Sequence, residues 1–260
     1  MTAPENPLLI EYPSDAIVVL RLNRPQVRNA LNIPVRARLA DEVTRHGADE
    51  KIRCVIITGS DTVFAAGADI SQMAEAGPVE IMARNLHKYW QAIMDCPKPV
   101  IAAIEGFTLG GGLELALCAD IIVAGEGARL GLPEVKIGIL PGGGGTQKLA
   151  RLIGSKRAML LLLTGKMFSA TEAFAMGVVS ETAPAGQALP RAIEIAKEIA
   201  AQPAIAVRQI KEIVNAGLNA PLETALMLER KALQLQFATS DQKEGMRAFL
   251  EKRKPTFEGK

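Results

Sequence analysis

Three short apolar runs, each closed by a glycine-bearing turn, constrain this chain more than any other feature. Residues 53–58 (RCVIIT) end in Gly59-Ser60-Asp61, and residues 100–104 (VIAAI) lead into a cluster at 106–112. Residues 120–124 (DIIVA) are the third run. All three are rich in β-branched residues, and they read as buried strands. Helical periodicity fills the intervals between them.

The remaining pattern fits that frame. Residues 8–11 and 16–22 predict two strands about the turn Pro13-Ser14-Asp15. Pro34 opens a helix to His46, with Val35, Leu39 and Val43 on one face and Gly47 as its stop. One helix is expected over 79–94, and short segments lie around Leu130 and 135–139. A second glycine cluster at 142–145 leads into a helix near Thr146. Helices are then expected over 156–163, 170–175, 190–201, 204–215, 222–237 and 242–252. Strand–helix alternation up to Ser180, followed by helices alone, predicts an α/β core with a helical C-terminal extension. We divide the chain as 1–200 for the core and 201–260 for the helical region.

Composition narrows the function classes. At 260 residues, 48% hydrophobic, the chain can build one large core without a metal or a disulfide. Its 30 basic and 28 acidic residues give a net charge of +2, with no electrostatic footprint for nucleic acid or a membrane surface. The longest apolar run near the middle, 158–163, is too short to span a bilayer. Cys54, Cys96 and Cys118 sit in apolar stretches and read as reduced core residues. No secretory signal is visible at the start, so the expected location is cytoplasmic.

Two small-residue segments carry the chemical interest. In Phe64-Ala65-Ala66-Gly67-Ala68-Asp69-Ile70, glycine and its small neighbours let a ligand approach the main chain. Gly110-Gly111-Gly112-Leu113-Glu114 lies where a strand hands over to a helix, whose first N–H groups lack internal partners. Both segments read either as tight turns with helix caps or as the two halves of an oxyanion hole. A dinucleotide fingerprint and a P-loop are both absent.

Two carboxylates stand out by their surroundings. Glu114 lies within LGGGLELALCADIIVAG and Glu134 within LGLPEVKIGILPG, both otherwise mostly apolar. Each alone reads as a satisfied structural acid. Together, in neighbouring segments, they suit proton transfer, because burial raises a carboxyl pKa. Asp120 starts a strand and is read as a helix-end cap. Only His46 and His87 occur, both in polar stretches and read as surface residues, which leaves no triad or histidine metal site. Trp90, Tyr89 and Ile93 read as core or pocket lining.

With these segments the chain resembles the crotonase superfamily, specifically its enoyl-CoA hydratases. The likeness runs through NRPQVRNALN, FAAGADI, TLGGGLELALCADIIVAGEGARLGLPE, GILPGGGGTQKLARLIG, EAFAMGVVSE and EGMRAFLEKRKPTF, in order. It implies a crotonase fold, a spiral of ββα turns with a helical C-terminal trimerisation region, assembled as a homotrimer or a dimer of trimers. It also implies oxyanion donors at the N–H groups of Ala68 and Gly111, and Glu114 and Glu134 as catalytic acids. CoA-binding positions would be Arg28, Ala30, Ala66, Asp69, Ile70 and Ser71. Ser71 departs from the lysine of some members, and Leu132 from a glutamine.

The activity implied is hydration of a trans-2-enoyl-CoA to a 3-hydroxyacyl-CoA. Glu114 would serve water and Glu134 the C2 proton, with coenzyme A entering as part of the substrate and no metal or redox cofactor. Two alternatives stay open. One is enoyl-CoA isomerisation on the same scaffold. The other is a non-catalytic RNA-binding relative, for which Arg208/Lys211 and Arg230/Lys231 are the basic candidates. The basic residues Lys252-Arg253-Lys254 and Lys260 read as a solvated charge run or a contact for CoA phosphates. Phe257 is a candidate for stacking near adenine.

Overall fold

The computed structural model describes residues 6–260. Along the chain come β1 (Leu8–Ser14), β2 (Ile17–Leu22), α1 (Ile33–Ala48), β3 (Cys54–Thr58), β4 (Val63–Ala65), α2 (Pro78–Arg84) and α3 (His87–Met94). Next are β5 (Val100–Ile104), β6 (Phe107–Leu109), α4 (Gly111–Ala116), β7 (Ile121–Gly125) and β8 (Arg129–Gly131). They are followed by α5 (Gly145–Ile153), α6 (Ser155–Thr164), β9 (Phe168–Ser169), α7 (Ala170–Met176) and β10 (Glu181–Ala183). Helices α8 (Ala188–Ala200), α9 (Ala204–Gly217), α10 (Leu222–Gln236) and α11 (Ser240–Leu250) end it.

The strands form two sheets, ordered β1-β2-β3-β5-β7-β10 and β4-β6-β8-β9. Each pass lays one strand in each sheet and returns through helix: β3 with β4, β5 with β6, β7 with β8. Strands β2, β3, β5, β7 and β10 run parallel, and β1 closes the edge antiparallel to β2. This is the spiral of ββα turns.

Both faces of the six-stranded sheet are covered at its centre, which is why β3, β5 and β7 are apolar at nearly every position, while the outer strands β1 and β10 carry polar residues such as Glu11 and Glu181. In register across it, Val19, Ile56, Ile101 and Ile121 form one row. That row faces Ala188, Ala192 and Ala196 of α8, all fully buried. Alanine every fourth residue gives the helix one flat face that seats close to the sheet. One position along, Leu20, Ile57, Ala102 and Ile122 face the main core with Leu39, Val43, Phe64 and Leu113. Burying one such aliphatic side chain is worth roughly 1.5–3 kcal/mol before entropy is counted.

Several expectations need correction. The stretch 79–94 is two helices, because Asn85 takes a left-handed conformation with φ of 46° and breaks the ladder. Gly47 does not stop α1; it lies inside the last turn, where a Cβ would come within 3.1 Å of Cys96 Sγ. His46 is buried, holding Tyr12 Oη at 2.9 Å and the Glu42 carbonyl at 2.7 Å. Among the described residues, no helix is long and apolar enough to cross a membrane.

Candidate active site

The site lies where β4 and β6 end. Beyond β4, Gly67 takes φ of 114°, and its carbonyl accepts the Leu31 N–H at 2.8 Å. Leu31 and Ala68 form an isolated parallel bridge, which pins this loop to the segment before α1. Beyond β6, Gly110 has φ of 51° and ψ of −126°, a backbone state that a side chain would strain. Its N–H donates to the Gly131 carbonyl at 2.9 Å. Gly111 thus becomes the first residue of α4, with an N–H that no helical carbonyl can accept.

The two free N–H groups face one small space. A Cβ built on Gly67 would lie 3.8 Å from the Gly111 nitrogen, and one built on Gly111 would lie 3.5 Å from the Ala68 nitrogen. Among the described residues, neither N–H has a protein acceptor. A carbonyl oxygen placed there would receive both, which is the geometry of an oxyanion hole.

Both glutamates flank that space. Glu114, on α4, is 5% exposed. Its Oε1 accepts the Gly143 N–H at 2.6 Å and the Gly145 N–H at 2.9 Å. The 142–145 glycine cluster is therefore the holder of this carboxylate. Its closeness is why position 143 excludes side chains: a Cβ there would fall 2.1 Å from Trp90 Nε1 and 2.7 Å from Glu114 Oε2. That second oxygen accepts no protein hydrogen bond among the described residues.

Glu134 opens a single 3-10 turn, Glu134–Ile137, after Pro133. Its Oε1 reaches to 3.1 Å from where a Cβ on Gly110 would stand. Its Oε2 is buried without a partner. Burial pushes this carboxyl up to about 7; the residue's own N–H opposes the rise, and the nearby Glu114 charge adds to it. An acid half-protonated near neutral pH suits a proton donor. The sequence-predicted core of the site, Glu114, Glu134, Ala68 and Gly111, is thus brought together.

The expected CoA wall also converges. The Ala66 N–H donates to the Arg28 carbonyl at 3.0 Å, and Arg24 donates to the Ala30 carbonyl while lying 3.6 Å from Asp69. Ser71 Oγ donates to Asp69 Oδ1 at 2.7 Å. Arg28, Ile70 and Ser71 are exposed. Other expectations resolve into structure: Arg253 is held by Glu244 and Glu251, and Phe257 packs 3.4 Å from where a Cβ on Gly245 would stand. Asp120 accepts the Val100 N–H and pairs with Lys211 at 2.7 Å, which removes that lysine from any phosphate-binding face.

Sequence reasoning missed Arg36. It is buried on α1, its Nε donates to the Leu31 carbonyl at 3.0 Å, and its guanidinium stacks 5.0 Å from the centre of the Trp90 ring. Its helical position, three before Leu39 and seven before Val43 on the inward face, was the available signal.

The model of the family described as enoyl-CoA hydratase/isomerase matches residues 13–260. The chain belongs to that family. A crotonyl-CoA hydratase from Syntrophomonas wolfei is 43% identical over 254 residues, spanning 96% of this chain and 97% of that protein. The 2,3-dehydroadipyl-CoA hydratase of Escherichia coli K12 is 38% identical over 252 residues, covering 97% and 99%. Among solved structures, an enoyl-CoA hydratase from Bacillus anthracis superposes with a TM-score of 0.94 at 38% identity, covering 98% of this chain and all of that one. The crotonase fold follows from both sequence and superposition.

Proposed function

We propose that this enoyl-CoA hydratase adds water across trans-2-enoyl-CoA thioesters through Glu114 and Glu134. The observation that carries this reading is the pair of carboxylates beside two unpartnered N–H groups. Isomerisation needs one proton-shuttling acid, and hydration has work for two.

The thioester carbonyl oxygen would accept the Ala68 and Gly111 N–H groups, which draws electron density to oxygen and makes C3 electrophilic. Water held on Glu114 Oε2 attacks C3 and gives its proton to that carboxylate. The electron pair of the C2=C3 bond moves into the enolate. Glu134 then delivers a proton to C2, and the carbonyl re-forms. Net addition is H to C2 and OH to C3, and the two acids exchange protons with solvent before the next cycle. Coenzyme A enters with the substrate, its nucleotide along residues 66–71 and beside Arg28 and Ala30. No further cofactor takes part.

We further propose self-association as a trimer or a dimer of trimers. Helices α9 and α10 contribute no buried residue, and Ile210, Val214, Leu222 and Leu233 lie exposed on them, with Leu218 exposed just after α9. Three buried free cysteines suit a reducing, cytoplasmic setting.

The test is a panel of short, medium and ω-carboxy trans-2-enoyl-CoAs, followed as loss of conjugated-enoyl absorbance, beside trans-3-enoyl-CoA followed as its gain. Hydration of at least one 2-enoyl substrate, faster than any isomerisation, is expected. Isomerisation alone would refute the reading.

A further inference from the structure

The proposed reaction leaves one buried cation without a role. Arg36 is 7% exposed, and among the described residues its only hydrogen bond is from Nε to the Leu31 carbonyl, 3.0 Å away. No carboxylate lies within salt-bridge reach of it there; the Glu114 charge acts on it from farther off, and burial outweighs that attraction. A guanidinium out of water with no contacting carboxylate is costly.

Its surroundings point to the use. The terminal Nη2 lies 3.5 Å from where a Cβ on Gly111 would stand, and that same point is 3.5 Å from the Ala68 nitrogen. Arg36 and Ala68 line one crevice, with Leu31, Asp69, Gln72 and Met73. Leu31 joins the parts: its carbonyl fixes the Arg36 Nε, its N–H holds the Gly67 carbonyl, and its bridge sets Ala68. The Trp90 ring, 5.0 Å from the guanidinium carbon, supports the cation from another side. Arg84 lines the crevice too, but it is paired with Glu80.

We infer that Arg36 is a positioning residue whose fixed positive charge, set beneath the Ala68 and Gly111 N–H groups, stabilises the negative charge that develops on the thioester oxygen. Two peptide dipoles bind the oxygen directly; the guanidinium adds a full charge behind them in a water-poor site. The inference rests on the proposed reaction, since it concerns the enolate of that reaction. The charge favours a state formed only during turnover, so its loss lowers kcat and leaves KM nearly unchanged.

The test compares wild type, Arg36→Met and Arg36→Lys in three readouts: kcat and KM for crotonyl-CoA, thermal midpoint, and the absorbance of bound para-dimethylaminocinnamoyl-CoA. That donor–acceptor thioester shifts to the red as its carbonyl oxygen is polarised, and it reports the hole without turnover. The expected result for Arg36→Met is a fall in kcat on the order of tenfold or more, KM within about twofold, and a smaller red shift. Arg36→Lys, with its charge restored, recovers part of both. If Arg36→Met does not fold, Arg36→Lys alone carries the comparison and must show a red shift below wild type. An unchanged red shift and kcat overturn the inference. So does a loss confined to KM for ω-carboxy substrates, which would make Arg36 a reader of the acyl end. A wild-type protein that shifts the probe but hydrates no enoyl-CoA refutes the reaction and spares the electrostatic role.

Discussion

Glu114 hangs from Gly143: its Oε1 accepts the glycine N–H at 2.6 Å, while a side chain at that glycine would stand 2.7 Å from Oε2. One residue therefore both orients the carboxylate and leaves room for what its free oxygen binds. Gly143→Ala should lose at least about tenfold in kcat and roughly 1–3 kcal/mol of stability, because the added methyl also meets Trp90 Nε1. Trp90 is the only tryptophan, so its emission reports the distortion directly. An unchanged emission spectrum with wild-type kcat would refute this role for position 143.

Gly110 tests the hole from the other side. Gly110→Ala strains a backbone at φ of 51° and presses towards Glu134 Oε1. It should shift the Gly111 N–H and lower kcat on the order of a hundredfold, the scale of losing one oxyanion donor. Steady-state kinetics on crotonyl-CoA measures this, and a change in KM alone would contradict it.

The Glu134 carboxyl, held up at about 7 by burial, gives two pH effects. As the proposed proton donor it must be protonated, so kcat/KM should fall as pH rises through about 7. Stability runs the same way: its protonated form is favoured in the fold, and the unfolded chain ionises first as pH rises. The resulting loss develops between about pH 4.3 and 7 and amounts to on the order of 1 kcal/mol after solvent screening. Glu134→Gln should therefore gain in thermal midpoint relative to wild type at pH 8 compared with pH 5. A difference that shrinks with rising pH would show the sign to be wrong.

Assembly is checked by mass. Light scattering should give three or six times 27.7 kDa. Leu218→Asp with Leu222→Asp should drive it towards monomer, while a monomeric wild type would dispose of the proposal.

Strands β3, β5 and β7 were legible because burial on both faces makes nearly every residue apolar. The second sheet was not. Strands β4, β6 and β8 have three residues each, too few to display any period, and they sit beside glycine-rich segments that read as turns. Glu114 and Glu134 stood out as acids in apolar text, yet burial alone does not identify a catalyst. Glu105 is also buried, and among the described residues its carboxylate accepts the Ala188 N–H at the start of α8, a structural contact. What separates them is spatial: the glutamates flank free N–H groups, and no run of sequence displays that. Arg36 shares the inward face of α1 with Leu39 and Val43, but that spacing gives only its burial; its nearness to the Ala68 and Gly111 nitrogens comes from the packing of α1 against the two loops.

The central claim is that two glutamates divide one hydration between them. Crotonyl-CoA should be converted to 3-hydroxybutyryl-CoA by the wild type, and Glu114→Gln and Glu134→Gln should each slow it by about a hundredfold or more while remaining folded. Near-wild-type hydration by either variant would contradict the account.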